Sequence, residues 1–182
     1  MADSDAGLPA GAELIISAAA VDDALGRMAA ALQAEIDAAD CVVLLVMVGG
    51  LIPGVRVLQR LTGDFEIDYC HVTRYAGQQR GGTPRWLQAP RARLRDRTVL
   101  IVDDIFDEGI TLDYVVQACR EQGAARVVTA VLVTKQHDRA AGRRGPDICG
   151  VQVLDRYVFG CGMDLEHRWR HLPAIYALTG EG

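Results

Sequence analysis

Asp103, Asp104 and Asp107 stand close together in the chain, and Glu108, Gly109, Ile110 and Thr111 follow directly. A pair of carboxylates offers hard oxygen acceptors, suited to vicinal hydroxyls or to Mg²⁺. The run from Asp107 to Thr111 supplies what an anion needs at the start of a helix: successive backbone N–H groups, the positive end of the helix dipole, a glycine that lets the backbone come close, and a hydroxyl. A phosphate pocket beside a hydroxyl-binding acid pair describes a ribose 5-phosphate site. The blander alternative is an acid-capped helix after a core strand. Two acids closing an apolar strand, ahead of acid-x-Gly-x-Thr, is the rarer order and favours the site.

The elements that must hold these residues are legible on both sides. Residues 99–102 form a short, mostly β-branched apolar run, the pattern of a strand buried on both faces. Leu112, Val115, Val116 and Cys119 recur at the spacing of one helix face, and Gly123 stands where a helix-terminating glycine belongs. Strand, acidic loop, helix is the unit whose carboxyl-end loop binds ligands in open α/β sheets. A second such unit is predicted upstream, with a buried strand over 41–47, then Val48, Gly49 and Gly50, then a helix over 51–61 with Pro53 in its first turn. The glycine pair suits close backbone approach by an anion; read alone it is also ordinary strand–helix punctuation.

At residues 99–111 the sequence resembles the type I phosphoribosyltransferases, whose signature is an apolar strand, two acids, two apolar residues and then Asp-Thr-Gly-x-Thr. Glu108 departs from it, replacing the first threonine. The resemblance covers roughly residues 40–178 and is strongest to the hypoxanthine-guanine branch, because Asp155-Arg156-Tyr157-Val158-Phe159-Gly160-Cys161-Gly162-Met163-Asp164 is similar to that branch's base-binding hood. It implies one α/β domain over 1–182, a mostly parallel central sheet flanked by helices (core about 40–145), and a small hood built from about 1–20 and 146–182. It also implies the roles of residues. Asp103, Asp104, Asp107, Glu108, Gly109, Ile110 and Thr111 would hold the ribose phosphate of 5-phosphoribosyl 1-pyrophosphate (PRPP), with Asp107 also receiving or sharing the purine's N7 proton. Val48, Gly49, Gly50 and Arg170 would meet pyrophosphate. Many members carry a lysine before the two glycines; Val48 cannot donate a hydrogen bond from its side chain, so only the backbone role carries over. Lys135 would grip the O6 of a 6-oxopurine, Tyr157 would stack on the base and the Val158 backbone would meet its Watson–Crick edge. Asp164, with Asp103 and Asp104, would hold Mg²⁺. Thr73, Arg74 and Tyr75 open a Gly-, Gln- and Arg-rich segment that would act as a lid.

The activity so implied is purine salvage, giving IMP or GMP and pyrophosphate from PRPP and hypoxanthine or guanine. The alternatives are a xanthine-preferring transferase and a non-catalytic PRPP-sensing regulator on the same fold. Such a regulator tends to lose base-site residues and gain a basic face, whereas Asp107, Lys135, Tyr157 and Asp164 are all present and the net charge is −5. That charge also argues against a nucleic-acid partner. Five scattered cysteines with no metal or redox spacing are expected as buried thiols in a reducing cytoplasm. Asp3 and Asp5 stand where a secretory signal would be basic, and no apolar run reaches membrane-spanning length. The family resemblance implies a homodimer or homotetramer.

The remaining elements are predicted as a short strand or turn over 14–17, an alanine-rich helix over 21–39, strands over 65–72, 127–133 and 148–154, and a short closing strand within 172–178. Lys135 is expected just past a strand end, residues 136–145 as a polar basic loop, and Arg91, Arg93, Arg95 and Arg97 as an exposed basic edge. Trp169 is expected to pack rather than react.

Overall fold

The computed structural model describes residues 7–74, 83–140 and 142–179. Its elements are β1 (Ala12–Ile16), α1 (Ala18–Ile36), β2 (Cys41–Met47), α2 (Leu51–Leu58), β3 (Glu66–Arg74), β4 (Pro84–Gln88), β5 (Thr98–Phe106), α3 (Ile110–Glu121), β6 (Arg126–Gln136), β7 (Ile148–Leu154), β8 (Val158–Phe159) and β9 (Ile175–Leu178). Six strands form one sheet in the order β4-β3-β2-β5-β6-β7. Every neighbouring pair in it is parallel except β3 and β4. A second, antiparallel sheet, β1-β9-β8, joins the two ends of the described chain into a hood.

The apolar runs of β2 and β5 are continuous because both faces of the sheet are covered. Side chains alternate across it with the two-residue period of a strand. Val43, Leu45, Leu100 and Val102 pack with α1 and with Val57 of α2, while Val42, Leu44, Val99 and Ile101 pack with Leu112, Val115 and Cys119 of α3. The helices that follow β2 and β5 therefore lie on opposite faces, although the two strands are adjacent. The loops leaving their carboxyl ends diverge and open a crevice between them, the position at which open α/β sheets bind ligands.

Several expectations move. The first helix starts at Ala18, three residues early, because the Ser17 Oγ accepts from the Ala20 N–H and caps it there, and it stops at Ile36. The second ends at Leu58, the chain tightening into turns through Leu61. The strand over 127–133 runs on to Gln136, since it is paired on both sides, Thr134 against Phe106 and Gln136 against Leu154. Lys135 thus lies inside a strand rather than beyond one. The strand 148–154, grouped with the hood by the expected division at 146, is the sixth strand of the main sheet. Arg97 is not part of an exposed edge: its guanidinium donates to Asp40 at 2.7 Å and to Glu66 at 2.5 Å, tying together the starts of β2, β3 and β5. Arg91, Arg93 and Arg95 are exposed as expected. Trp169 packs in the hood's apolar cluster. Four of the five cysteines are buried; Cys149 is exposed. Among the described residues no helix is long and apolar enough to cross a membrane.

Candidate active site

At the end of β2 the Met47–Val48 peptide is cis, and Gly50 opens α2 with its N–H donating to the Val46 carbonyl at 2.8 Å. The glycines are required by the neighbouring strand, before any ligand is considered. A Cβ on Gly50 would stand 2.6 Å from the Val46 carbonyl oxygen and 2.7 Å from that of Val102, and one on Gly49 would stand 2.1 Å from the Asp104 carboxylate. Gly49→Ala must push the Asp104 carboxylate out of place. We expect it to cost roughly 2 kcal/mol, read as a fall in Tm of roughly 4–8 °C in a thermal melt.

Asp103 and Asp104 close the buried part of β5 and are themselves buried. The Asp104 N–H donates to the Asp103 Oδ1 at 2.9 Å. Burial pushes both carboxyls above the usual range; the adjacent Asp104 charge adds to the rise at Asp103, and Arg170 opposes it at both. Arg170 stands 3.9 Å from Asp104, pairs with Asp164 at 2.6 Å and donates to the Gly162 carbonyl at 2.5 Å. One guanidinium thus links the acid pair to the hood. A carboxyl raised on folding makes the folded state the better proton binder, so this contribution to stability is greatest at low pH. It is lost as pH rises from the unfolded value of about 4 through the raised folded value. Asp103→Asn keeps the acceptor and removes the charge. We expect the variant to melt about 2–4 °C above the parent at pH 8, the gap closing towards pH 4.

Asp107 follows, on the loop that leads through Gly109 into α3. Gly109 has φ +75°, and a Cβ there would stand 2.7 Å from the Phe106 ring, so a side chain fits neither the dihedral nor the space. Ile110 and Thr111 lie in the first turn of α3, and Glu108 is partly exposed before it. Asp107 is held by three groups from the far end of β6 and the segment after it. Lys135 Nζ approaches Oδ2 at 3.1 Å, while His137 Nε2 and Arg139 Nη2 approach Oδ1 at 2.6 and 2.9 Å. Burial pushes the Asp107 carboxyl up, but hydrogen bonds and charge from Arg139, Lys135 and His137 outweigh it and hold it at about 2. Arg139 also grips both oxygens of Asp155, just before the hood strand β8, and the Lys135 Nζ lies 3.9 Å from Asp155.

An open cleft of about 470 Å³ gathers Val48, Gly49, Asp103 and Asp104, the loop 107–111 and Arg170. The model for the phosphoribosyl transferase domain matches residues 14–167 of this chain. The chain belongs to the phosphoribosyltransferase family. Within it, the chain is 29% identical over 173 residues to the bifunctional protein TilS/HprT of Listeria innocua. That match covers 93% of this chain and 26% of the Listeria protein, so the chain spans about a quarter of that relative's length. It is 28% identical over 134 residues to the hypoxanthine-guanine-xanthine phosphoribosyltransferase of Tritrichomonas foetus, covering 74% of this chain and 73% of that one. A crystal structure of a hypoxanthine phosphoribosyltransferase from Staphylococcus aureus superposes with a TM-score of 0.85 at 20% identity, covering 91% of this chain and 90% of the other, and so shares the fold.

Of the other singled-out residues, Tyr157, Val158, Asp164, Thr73 and Arg74 are not among those that line this cleft. Val158 is buried in β8 and Tyr157 is half-exposed, both directly after the Asp155 that Arg139 holds. Asp164 is linked to Asp104 of the acid pair through Arg170. Thr73 and Arg74 end β3, whereas Tyr75 lies outside the described residues. Sequence reasoning did not single out His71 and His167, which also line the cleft, nor His137 and Arg139. His71 had a faint signal: it ends the alternation of β3 and is in register with Met47, next to Val48. His137 and Arg139 had none, since they sit in a polar run whose partners lie about 30 residues upstream.

Proposed function

We propose that the protein is a purine-salvage enzyme. It transfers the 5-phosphoribosyl group of PRPP to hypoxanthine or guanine, giving IMP or GMP and pyrophosphate. The observation that carries this reading is the pair formed by Asp107 Oδ2 and Lys135 Nζ, 3.1 Å apart, with Asp107 lining the cleft. One group accepts and the other donates, matching the N7–H donor and O6 acceptor on one edge of a 6-oxopurine. Adenine presents an amino donor at C6, which would face the lysine donor. The relatives named for hypoxanthine, guanine and xanthine support the same reading.

In this mechanism the bond from ribose C1 to the pyrophosphate oxygen breaks first and its electron pair leaves with pyrophosphate. The purine N9 lone pair then attacks the opposite face of the cationic C1, and the purine's imidazole proton is shared with Asp107 on its way to solvent. Protein groups act by position and charge. The backbone of Glu108 to Thr111 holds the 5-phosphate, the buried Asp103 and Asp104 accept from the ribose hydroxyls and favour the cation, and Arg170 meets the leaving group. Because the free Asp107 carboxyl sits near 2, it serves as a standing acceptor for N7–H more than as a base that keeps the proton. The donor set around the acid pair, the carboxylates of Asp103, Asp104 and Asp164, is chemically suited to Mg²⁺. Among the described residues no three His, Cys, Asp or Glu side chains are placed together to hold a metal ion, so the acid pair would offer it oxygens and substrate oxygens would have to complete its shell. When bound, that ion would neutralise the leaving pyrophosphate. A homodimer or homotetramer belongs to the same reading, supported by the exposed apolar Leu51 and Val55 on α2.

The test is pyrophosphate release from PRPP and Mg²⁺ with hypoxanthine, guanine, xanthine and adenine supplied in turn. Turnover with hypoxanthine and guanine is expected. Turnover with adenine alone overturns the reading of Lys135, and turnover with none overturns the enzyme.

A further inference from the structure

His137 sits just beyond β6, and its side chain is 7% exposed. Its two ring nitrogens have different partners. The backbone N–H of Arg139 donates to Nδ1 at 3.0 Å, and Nε2 lies 2.6 Å from Asp107 Oδ1. A ring nitrogen that accepts carries no proton, so in the neutral ring the proton is on Nε2 and is donated to Asp107. The same Oδ1 also receives Arg139 Nη2 at 2.9 Å, whereas among the described residues Oδ2 receives only Lys135 Nζ. A carboxylate oxygen accepts comfortably from two donors in its plane. Oδ1 is therefore saturated by protein, and Oδ2, beside the lysine, keeps one acceptor direction open.

We infer that His137 is a positioning residue for phosphoribosyl transfer: its imidazole, fixed in the Nε2–H form by the Arg139 backbone, turns the Asp107 carboxylate so that Oδ2 is presented to the purine N7. The inference rests on the purine-salvage reading above and adds a residue to it. Arg139 cannot do this alone, because its guanidinium is 45% exposed and is shared with Asp155. Lys135 cannot do it either, since it must turn to O6 when the base arrives. His137 is the donor to Asp107 that is both buried and locked at its other end.

The experiment compares His137→Phe, which keeps a ring and removes the donor, with His137→Gln, whose amide Nε2 can still donate to Asp107. Single-turnover IMP formation is followed at saturating PRPP and hypoxanthine, beside the KM for PRPP and a thermal melt. Loss of a hydrogen bond to a charged group is expected to slow His137→Phe by about tenfold or more. Its KM for PRPP is expected to stay within about twofold, and His137→Gln is expected to recover to within about threefold of the parent. A His137→Phe rate equal to the parent's overturns the inference, as does a His137→Gln that is folded and as slow as His137→Phe. ¹⁵N NMR of the parent, with His137 assigned by its absence from His137→Gln, tests the ring independently of turnover. The Nε2–H form is expected, and the Nδ1–H form overturns the inference. A parent protein that forms no IMP, yet shows the Nε2–H ring, overturns the salvage reading and the catalytic role drawn from it while leaving the ring geometry standing.

Discussion

On the proposed purine-salvage reading, Asp107→Asn is expected to lower kcat by about two to three orders of magnitude while the KM for PRPP stays within about threefold. The asparagine keeps the size of the side chain and one carbonyl acceptor, so the loop into α3 and its backbone N–H groups are preserved. What is lost is the negative charge that, on the proposed reading, faces the base. In the free protein that charge is secured by Arg139, Lys135 and His137, which hold the carboxyl at about 2 against the effect of burial. The substituted amide offers N7–H a weaker acceptor, or presents its own NH₂ against it. Steady-state kinetics with hypoxanthine, with PRPP varied, separates the outcomes. A rise in the KM for PRPP as large as the fall in kcat would place Asp107 in donor binding and take it away from the base.

Lys135→Leu is expected to reduce kcat/KM for hypoxanthine and for guanine by about 10- to 100-fold, the worth of a hydrogen bond to a charged group, with PRPP binding unchanged by calorimetry. The lysine is 11% exposed, so an apolar side chain of similar bulk is acceptable there. Asp107 is not stranded by the change, because His137 and Arg139 still donate to it. The fold should survive and the loss should fall on the base. Competition between hypoxanthine and adenine gives the sharper reading: the preference for the 6-oxo base narrows in the variant. An unchanged preference would mean that backbone contacts of the hood, and not Lys135, choose the base.

The architecture was legible wherever burial leaves a local mark. β2 and β5 are unbroken apolar runs because both their faces are covered, and α3 announces itself through Leu112, Val115 and Cys119 and the closing Gly123. The order of acids and glycine after β5 led directly to the cleft. What escaped is non-local. Lys135 looked like a residue beyond a strand because it is charged, and its strand continues only because β5 and β7 pair with it on both sides. Arg97 alternates with exposed arginines in the chain, yet it turns inward to Asp40 and Glu66, which come from two other strand starts. His137 and Arg139 lie in a stretch with no periodicity and find their partner across the sheet. The glycine pair was noticed for its openness to an anion, whereas the structure first requires it to clear Asp104 and two strand carbonyls.

The position of Arg170 has a consequence for how salt acts on this protein. Its guanidinium is already engaged with Asp164 and Gly162 and lies near Asp104. On the proposed reading, an incoming polyanion would take over a cation that has internal counter-charges, and the carboxylates left behind would have to find new company within the same complex. Such an exchange gains less net Coulombic attraction than docking on an unpaired arginine would. Affinity for the sugar donor should accordingly fall more gently with ionic strength than a count of basic residues would suggest.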